Sequence, residues 1–273
     1  MSTNRLAQLA DNLAAVNSRI DQACAAAGRD RSGVRLIVVT KTFPASDVHL
    51  LAELGVRDVG ENRDQEAKAK WAACAQLPVR WHLIGQLQRN KVNSVLKWAD
   101  VVQTVDRLEL AEALASAATR LDRRVNVLVQ VALDIPAQTT QTTQTTQTTQ
   151  TTQTTQTTQT TQTTQTTETT ETTQTTQAAR GGCEPAGVLA LVQRVLELSH
   201  LDLGGVMGVA PLHGEPAAAF SRLADLSRAV QGLAPWADQI SAGMSGDLEA
   251  AIAGGATQVR IGGAVLGNRP ALP

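Results

Sequence analysis

The chain contains no tyrosine, two phenylalanines and four tryptophans, so aromatics make up 2% of its 273 residues. No phenolic hydroxyl is available as an acid or base, and the core has to be built mainly from aliphatic side chains. Neither sign of charge is in excess: 24 lysines and arginines stand against 25 aspartates and glutamates. No basic cluster marks a phosphate-backbone footprint, which argues against nucleic acid as a partner. Cysteine is scarce and dispersed. Cys24, Cys74 and Cys183 show no C-x-x-C spacing, the pattern of reduced thiols in the cytoplasm. No apolar run reaches membrane-spanning length, and the N-terminal stretch, broken by polar residues at helical spacing, reads as an amphipathic helix and not a signal peptide. The expectation is a soluble, cytoplasmic monomer with no membrane partner.

What is present is a regular alternation of short apolar runs and helical segments. Strands are expected at Val34–Thr40, Val56–Gly60, Arg80–Ile84, Val101–Val105, Val125–Leu133, Leu203–Val209, Gln239–Gly243 and Gln258–Gly262. Helical patterns fall between them, among them Asp47–Leu54, Glu61–Ala75, Arg107–Leu121 and Pro185–Leu198. Strict alternation implies parallel strands with right-handed crossovers, and eight such units suggest closure into a single (β/α)8 TIM-type barrel with an extra N-terminal helix. An open doubly wound sheet is the alternative, but the Gly-rich dinucleotide loop expected after its first strand is absent. One barrel domain thus occupies residues 1–273, interrupted at 138–177 by a near-pure Gln-Thr-Thr repeat. That tract has little apolar area with which to offset its ordering entropy, so it reads as a disordered surface loop, with self-association as a minor alternative.

Barrel sites lie at the carboxyl ends of the strands. Lys41 follows the run Leu36–Thr40 and so emerges at the mouth, where apolar walls lower an amine's pKa and suit it to a Schiff base with an aldehyde. A lone strand-end lysine is weak evidence, because most are solvated caps. The last two units add an anion site. Ser241-Ala242-Gly243-Met244-Ser245 runs from the seventh strand into a helix that Ser245 can cap, and Arg260-Ile261-Gly262-Gly263 runs from the eighth strand into another helix start. Glycines there permit close backbone approach, and phosphate commonly binds after strands seven and eight of a barrel. A ligand carrying both an aldehyde and a phosphate fits, and pyridoxal 5′-phosphate is such a ligand. Asn62 either contacts that ligand's ring or caps the next helix, and His82 reads as structural inside the barrel. His49, His200 and His213 are scattered, with no pair at metal-ligand spacing.

Several stretches are specific enough to carry a resemblance: Val38-Val39-Thr40-Lys41-Thr42, Gly60-Glu61-Asn62, Trp81 to Lys91 (WHLIGQLQRNK), Val105-Asp106-Arg107, Met207 to Pro211, Ser241 to Ser245 and Val259 to Gly262. Through them the chain resembles the pyridoxal phosphate homeostasis protein family, whose fold is similar to the barrel domain of alanine racemase. The resemblance implies that Lys41 joins the cofactor's aldehyde, that Ser245 and the Gly262–Gly263 turn hold its phosphate, and that Arg260 faces the pyridine nitrogen. Ser241, in the same matched stretch, belongs to the implied cofactor-binding set, as does Asn62. Two departures stand out: Arg63 where the family often has tyrosine, and Gly263 where it usually has serine or threonine, which removes one hydroxyl donor. The implied function is cofactor homeostasis, with pyridoxal-phosphate-dependent apoenzymes as partners and no robust catalysis. A racemase of the related fold uses a tyrosine from a second domain as its other base, and this chain has neither. A racemase-like enzyme with another second base, and an interaction module acting through the repeat, are the alternatives.

Overall fold

The computed structural model describes residues 2–134 and 181–267. Helix α1 (Ser2–Ala26) comes first, followed by β1 (Arg35–Val39), α2 (Ala45–Glu53), β2 (Asp58–Glu61), α3 (Asp64–Ala73) and β3 (Arg80–Leu83). A short 3-10 turn leads into α4 (Val92–Val95), then β4 (Val101–Val105), α5 (Leu108–Arg120) and β5 (Val125–Val131). Beyond residue 180 come α6 (Val188–Glu197), β6 (Leu201–Gly208), α7 (Pro216–Leu233), β7 (Gln239–Ser241), α8 (Leu248–Ala253), β8 (Gln258–Ile261) and α9 (Gly263–Leu266). All neighbouring strands are parallel, and β1 pairs with β8, aligning Ile37 with Arg260, so the sheet closes into an eight-stranded barrel. The expected architecture is the one found. No helix among the described residues is long and apolar enough to cross a membrane. The Gln-Thr-Thr repeat, expected as a disordered loop, lies outside the described residues.

Strands covered on both faces are largely apolar, because neither face meets water, and the polar residues they bury must be hydrogen-bonded. β4 is buried at every position, and β5 at all but Asn126. The core is the aliphatic one that the composition requires, with Phe43, Trp81, Trp98 and Phe220 as its few buried aromatic members. β5 and β6 slip register between Val127 and Leu128. Opposite that slip Gly205 sits at φ 146°, with its Cα so close to the Gln239 carbonyl that any side chain would collide. Every strand but β4 differs from expectation at one end or both, most notably β2 and β6. β2 starts at Asp58 and ends at Glu61, so Glu61 belongs to the strand and α3 begins only at Asp64; β6 starts at Leu201.

Helix α1 is additional to the eight β/α units, and it braces the last two. Asn12 Nδ2 donates to the Val265 carbonyl at 2.9 Å, Arg5 Nη2 to that of Leu266 at 3.0 Å, and Arg19 Nη2 to that of Ser245 at 3.2 Å. Its buried Leu9, Leu13, Val16 and Ile20 join the core at helical spacing.

Candidate functional site

The carboxyl ends of β1, β7 and β8 open onto a cavity of about 320 Å³, lined by Val39, Lys41, Phe43, Ile84, Met244, Ser245, Gly246, Arg260, Gly262 and Gly263. Five of the seven residues implicated by the sequence therefore share one pocket: Lys41, Ser245, Arg260, Gly262 and Gly263.

Lys41 stands at a sharp turn. Thr40 is the last residue held by the β1–β2 pairing, through its N–H to the Gly60 carbonyl at 3.0 Å, and Thr42 takes a positive φ of 70°. A β-branched residue in that region is strained, so the turn needs fixing from outside. A buried ionic cluster supplies the fixing. Lys70 Nζ, on α3, donates to the Thr40 carbonyl at 2.7 Å, to Glu61 Oε1 at 2.5 Å and to Glu66 Oε1 at 3.1 Å. Thr40 Oγ1 donates to Glu61 at 2.6 Å, and the Thr42 N–H donates to Glu66. Burial pushes the Glu61 carboxyl up, while Lys70 and Thr40 pull it back toward ionisation. The residues on either side of Lys41 are thus tied to one buried ammonium. Nothing local in the sequence marks Lys70, which lies within the expected helical stretch Glu61–Ala75.

The opposite wall is made by the turns after β7 and β8. Ser245 does not cap α8, contrary to the sequence expectation. That helix begins at Leu248 with Asp247 at the N-cap, and Asp247 Oδ1 accepts from the Met244 N–H at 2.5 Å. The Met244–Asp247 turn instead leaves Ser245 on the cavity wall. Gly263 opens α9 with a φ outside the positive range, and a Cβ placed on it would meet nothing within 4 Å.

Arg260 is 5% exposed, and its hydrogen-bond partners are neutral: Nη1 donates to Ser241 Oγ at 2.7 Å and Nη2 to the Gly208 carbonyl at 2.9 Å. No carboxylate among the described residues lies within salt-bridge distance of it. Burial pushes its pKa down to about 10, partly countered by Asp247, which still leaves the guanidinium charged at neutral pH. A buried cation set among neutral partners on a cavity wall suits an electron-rich ligand.

Ser241 and Asn62 do not line the cavity. Ser241 is fully buried behind Arg260 and reaches the pocket only through it. Asn62 is half-buried at the end of β2, and α3 takes Arg63 as its N-cap, so Asn62 does not cap that helix. His82 lies in the barrel interior, 1% exposed, with its Nε2 2.8 Å from Asp58 Oδ1.

Comparison with known proteins follows the same lines. Residues 138–270 match the family model described as alanine racemase, N-terminal domain. A relative from Mycobacterium bovis named pyridoxal phosphate homeostasis protein is 36% identical over 285 residues, covering 97% of this chain and 95% of the relative. A protein of the same name from Pseudomonas aeruginosa is 34% identical over 97% of each chain. Among solved structures, PipY from Synechococcus elongatus PCC7942 with pyridoxal phosphate bound is 28% identical, with a TM-score of 0.71 over 95% of this chain and 100% of that one. Alanine racemase from Clostridium difficile 630, at 13% identity and a TM-score of 0.61, covers 98% of this chain and 57% of its own, and shows the shared fold alone.

Proposed function

The chain belongs to the pyridoxal phosphate homeostasis protein family, and on that premise we propose that it binds pyridoxal 5′-phosphate at the barrel mouth as a carrier or regulator of that cofactor. One observation carries the reading: an amine, a buried guanidinium and two glycine-containing turns line a single cavity at the carboxyl end of a closed barrel. When bound, the cofactor supplies an aldehyde that an amine can capture and a ring that can accept electrons. Lys41 is the amine, held in place by the Thr40–Lys70–Glu61 cluster. Ser245 offers a hydroxyl to the phosphate, and Gly262 and Gly263 offer backbone N–H groups at the start of α9. Arg260 faces the pyridine nitrogen. Ser241 acts by holding Arg260, whereas Asn62, at the end of β2 and outside the cavity lining, would contribute only from beside the pocket.

Two features favour holding over turnover. A guanidinium remains protonated and only donates, so it keeps the ring nitrogen unprotonated and the ring a weak electron acceptor. The chain also has no tyrosine to serve as a second base. We take residues 1–273 as one barrel interrupted by the insertion at 138–177, acting as a cytoplasmic monomer that passes cofactor to pyridoxal-phosphate-dependent apoenzymes. The test is an absorbance titration with pyridoxal phosphate, followed by amino-acid racemisation assays. The intact chain should develop the visible band of a lysine-linked cofactor and turn over no amino acid efficiently. Lys41→Ala should lose that band while keeping weaker, phosphate-dependent binding. A full band in Lys41→Ala would sink the assignment.

A further inference from the structure

Arg260 is the first member of a hydrogen-bonded chain that runs down the barrel interior to its other end. Arg260 Nη1 donates to Ser241 Oγ at 2.7 Å, and Ser241 donates to Gln103 Oε1 at 2.7 Å. Gln103 Nε2 lies 3.0 Å from His82 Nδ1 and donates to Gln258 Oε1 at 3.1 Å. His82 Nε2 in turn lies 2.8 Å from Asp58 Oδ1. Asp58 is the first residue of β2, at the amino-terminal end of the barrel, where Arg35 and Arg80 flank it at 3.7 and 3.9 Å. His82, Gln103, Ser241, Gln258 and Arg260 are each at most 5% exposed. Five strands, β8, β7, β4, β3 and β2, supply the members from Arg260 to Asp58, and they come together only in the closed barrel.

Donor counting gives the chain a single direction. Arginine has donors only, so Ser241 must accept from Arg260 and pass its one hydrogen onward. Gln103 therefore presents its oxygen to Ser241 and its nitrogen to His82. His82 Nδ1 must accept, which leaves Nε2–H to donate to Asp58. One neutral tautomer satisfies every group. A second proton on Nδ1 would face the Gln103 amide hydrogens, and turning that amide over would leave the Ser241 hydroxyl with no acceptor. In so buried a network each such failure costs a desolvated polar group.

We propose that Gln103, His82 and Asp58 are positioning residues for Arg260, fixing the guanidinium at the cofactor pocket from the opposite end of the barrel. Their effect on the cofactor rests on the reading given under Proposed function, whereas the coupling between Arg260 and His82 does not. The charged groups around His82 are Asp58 on β2, Arg35 on β1 and Arg80 on its own strand, with Arg260 on β8 two links away. Burial depresses its pKa, in keeping with the neutral tautomer that the chain requires.

Two measurements test this. In the cofactor-free protein, nitrogen-15 NMR of the imidazoles should show His82 as the Nε2–H tautomer, with Nδ1 as acceptor. Ser241→Ala, a small deletion two links away, should mix in the second tautomer or raise the pH at which His82 titrates. An unchanged His82 signal in Ser241→Ala would overturn the proposal. The second measurement is a double-mutant cycle on pyridoxal phosphate affinity. Gln103→Met should weaken binding by about 2- to 10-fold, the worth of one hydrogen bond, and should add nothing in an Arg260→Lys background. Equal losses in both backgrounds would mean general destabilisation, and would overturn the positioning role. If Gln103→Met does not fold, Ser241→Ala takes its place in the cycle. If the unaltered chain binds no pyridoxal phosphate, the cofactor reading fails, and the NMR result still decides the coupling.

Discussion

Single residues carry most of the site, and the sequence exposes them unevenly. Lys41, Ser245, Arg260, Gly262 and Gly263 are legible because each sits at or just past a strand end, and barrel geometry turns strand ends into one mouth. Lys70, Gln103 and the Ser241–Arg260 contact are not, because their partners are far away in the chain and no local pattern distinguishes a buried lysine in α3 from a solvated one. Gly263 permits a sharp test. Its φ is not positive and a side chain there would meet open space, so serine at this position should be unstrained. Gly263→Ser should restore a hydroxyl donor to the phosphate and tighten pyridoxal phosphate binding by up to about tenfold, the upper worth of a neutral hydrogen bond. Unchanged or weaker affinity in a titration would place the phosphate elsewhere. His82 supplies a second residue-level prediction. Its folded-state pKa lies below the ordinary value of 6.5, so the unfolded chain takes up a proton first as pH falls. Stability linked to His82 is therefore complete above pH 6.5 and is lost as pH drops toward the depressed folded value. The slope is at most about 1.4 kcal/mol per pH unit. Denaturant unfolding between pH 6.5 and about 5, above the range where ordinary carboxylates titrate, should show this slope. His82→Gln should remove it, and an identical slope in that variant would refute the neutral, buried histidine.

At the scale of elements, all eight strands are found where alternation places them, while all but β4 shift at one end or both by a residue or more. A strand buried on both faces has no polar register to mark its limits, so pairing sets them. β2 takes in Glu61 because that residue pairs with Leu83, and its carboxylate is thereby carried to Lys70 beneath the Lys41 turn. The 3-10 turn and short α4 after β3 also escape the periodic reading, since four residues make barely one turn. The connection from β5 to α6 carries the repeat, and its two ends meet. The Cys183 N–H donates to the Gln130 carbonyl at 2.7 Å, and the Ala132 N–H donates to the Cys183 carbonyl at 2.9 Å. Cys183 thus bridges Val131 in parallel, and Gln130 Nε2 donates to the Gly181 carbonyl at 3.1 Å, so the two ends are joined at the barrel. We propose that whatever lies between the two ends is dispensable for the barrel, because closing a shorter loop across joined ends costs little. A chain lacking Gln138–Gln177 should match the full chain in melting temperature and cofactor affinity. A large loss in either would show that the repeat contributes to the barrel or its pocket.

Across the whole molecule, the barrel brings together groups that the chain keeps far apart: an amine from β1, a hydroxyl after β7, and a guanidinium and glycine turn from β8. α1, α3 and the interior hydrogen-bond chain each hold one wall of that pocket. α1 does so through carbonyls of the Ser245 and α9 segments, α3 through Lys70, and the interior through Ser241. On the function proposed above, the molecule holds one aldehyde-bearing phosphate ester, and Lys41 is where we propose that holding becomes covalent. The most direct measurement is reduction of the pyridoxal-phosphate-loaded protein with borohydride, followed by peptide mass mapping. The account predicts the pyridoxyl group on the peptide containing Lys41, in close to one equivalent per chain. A pyridoxyl group found only on another lysine, or spread over many at low yield, would contradict it.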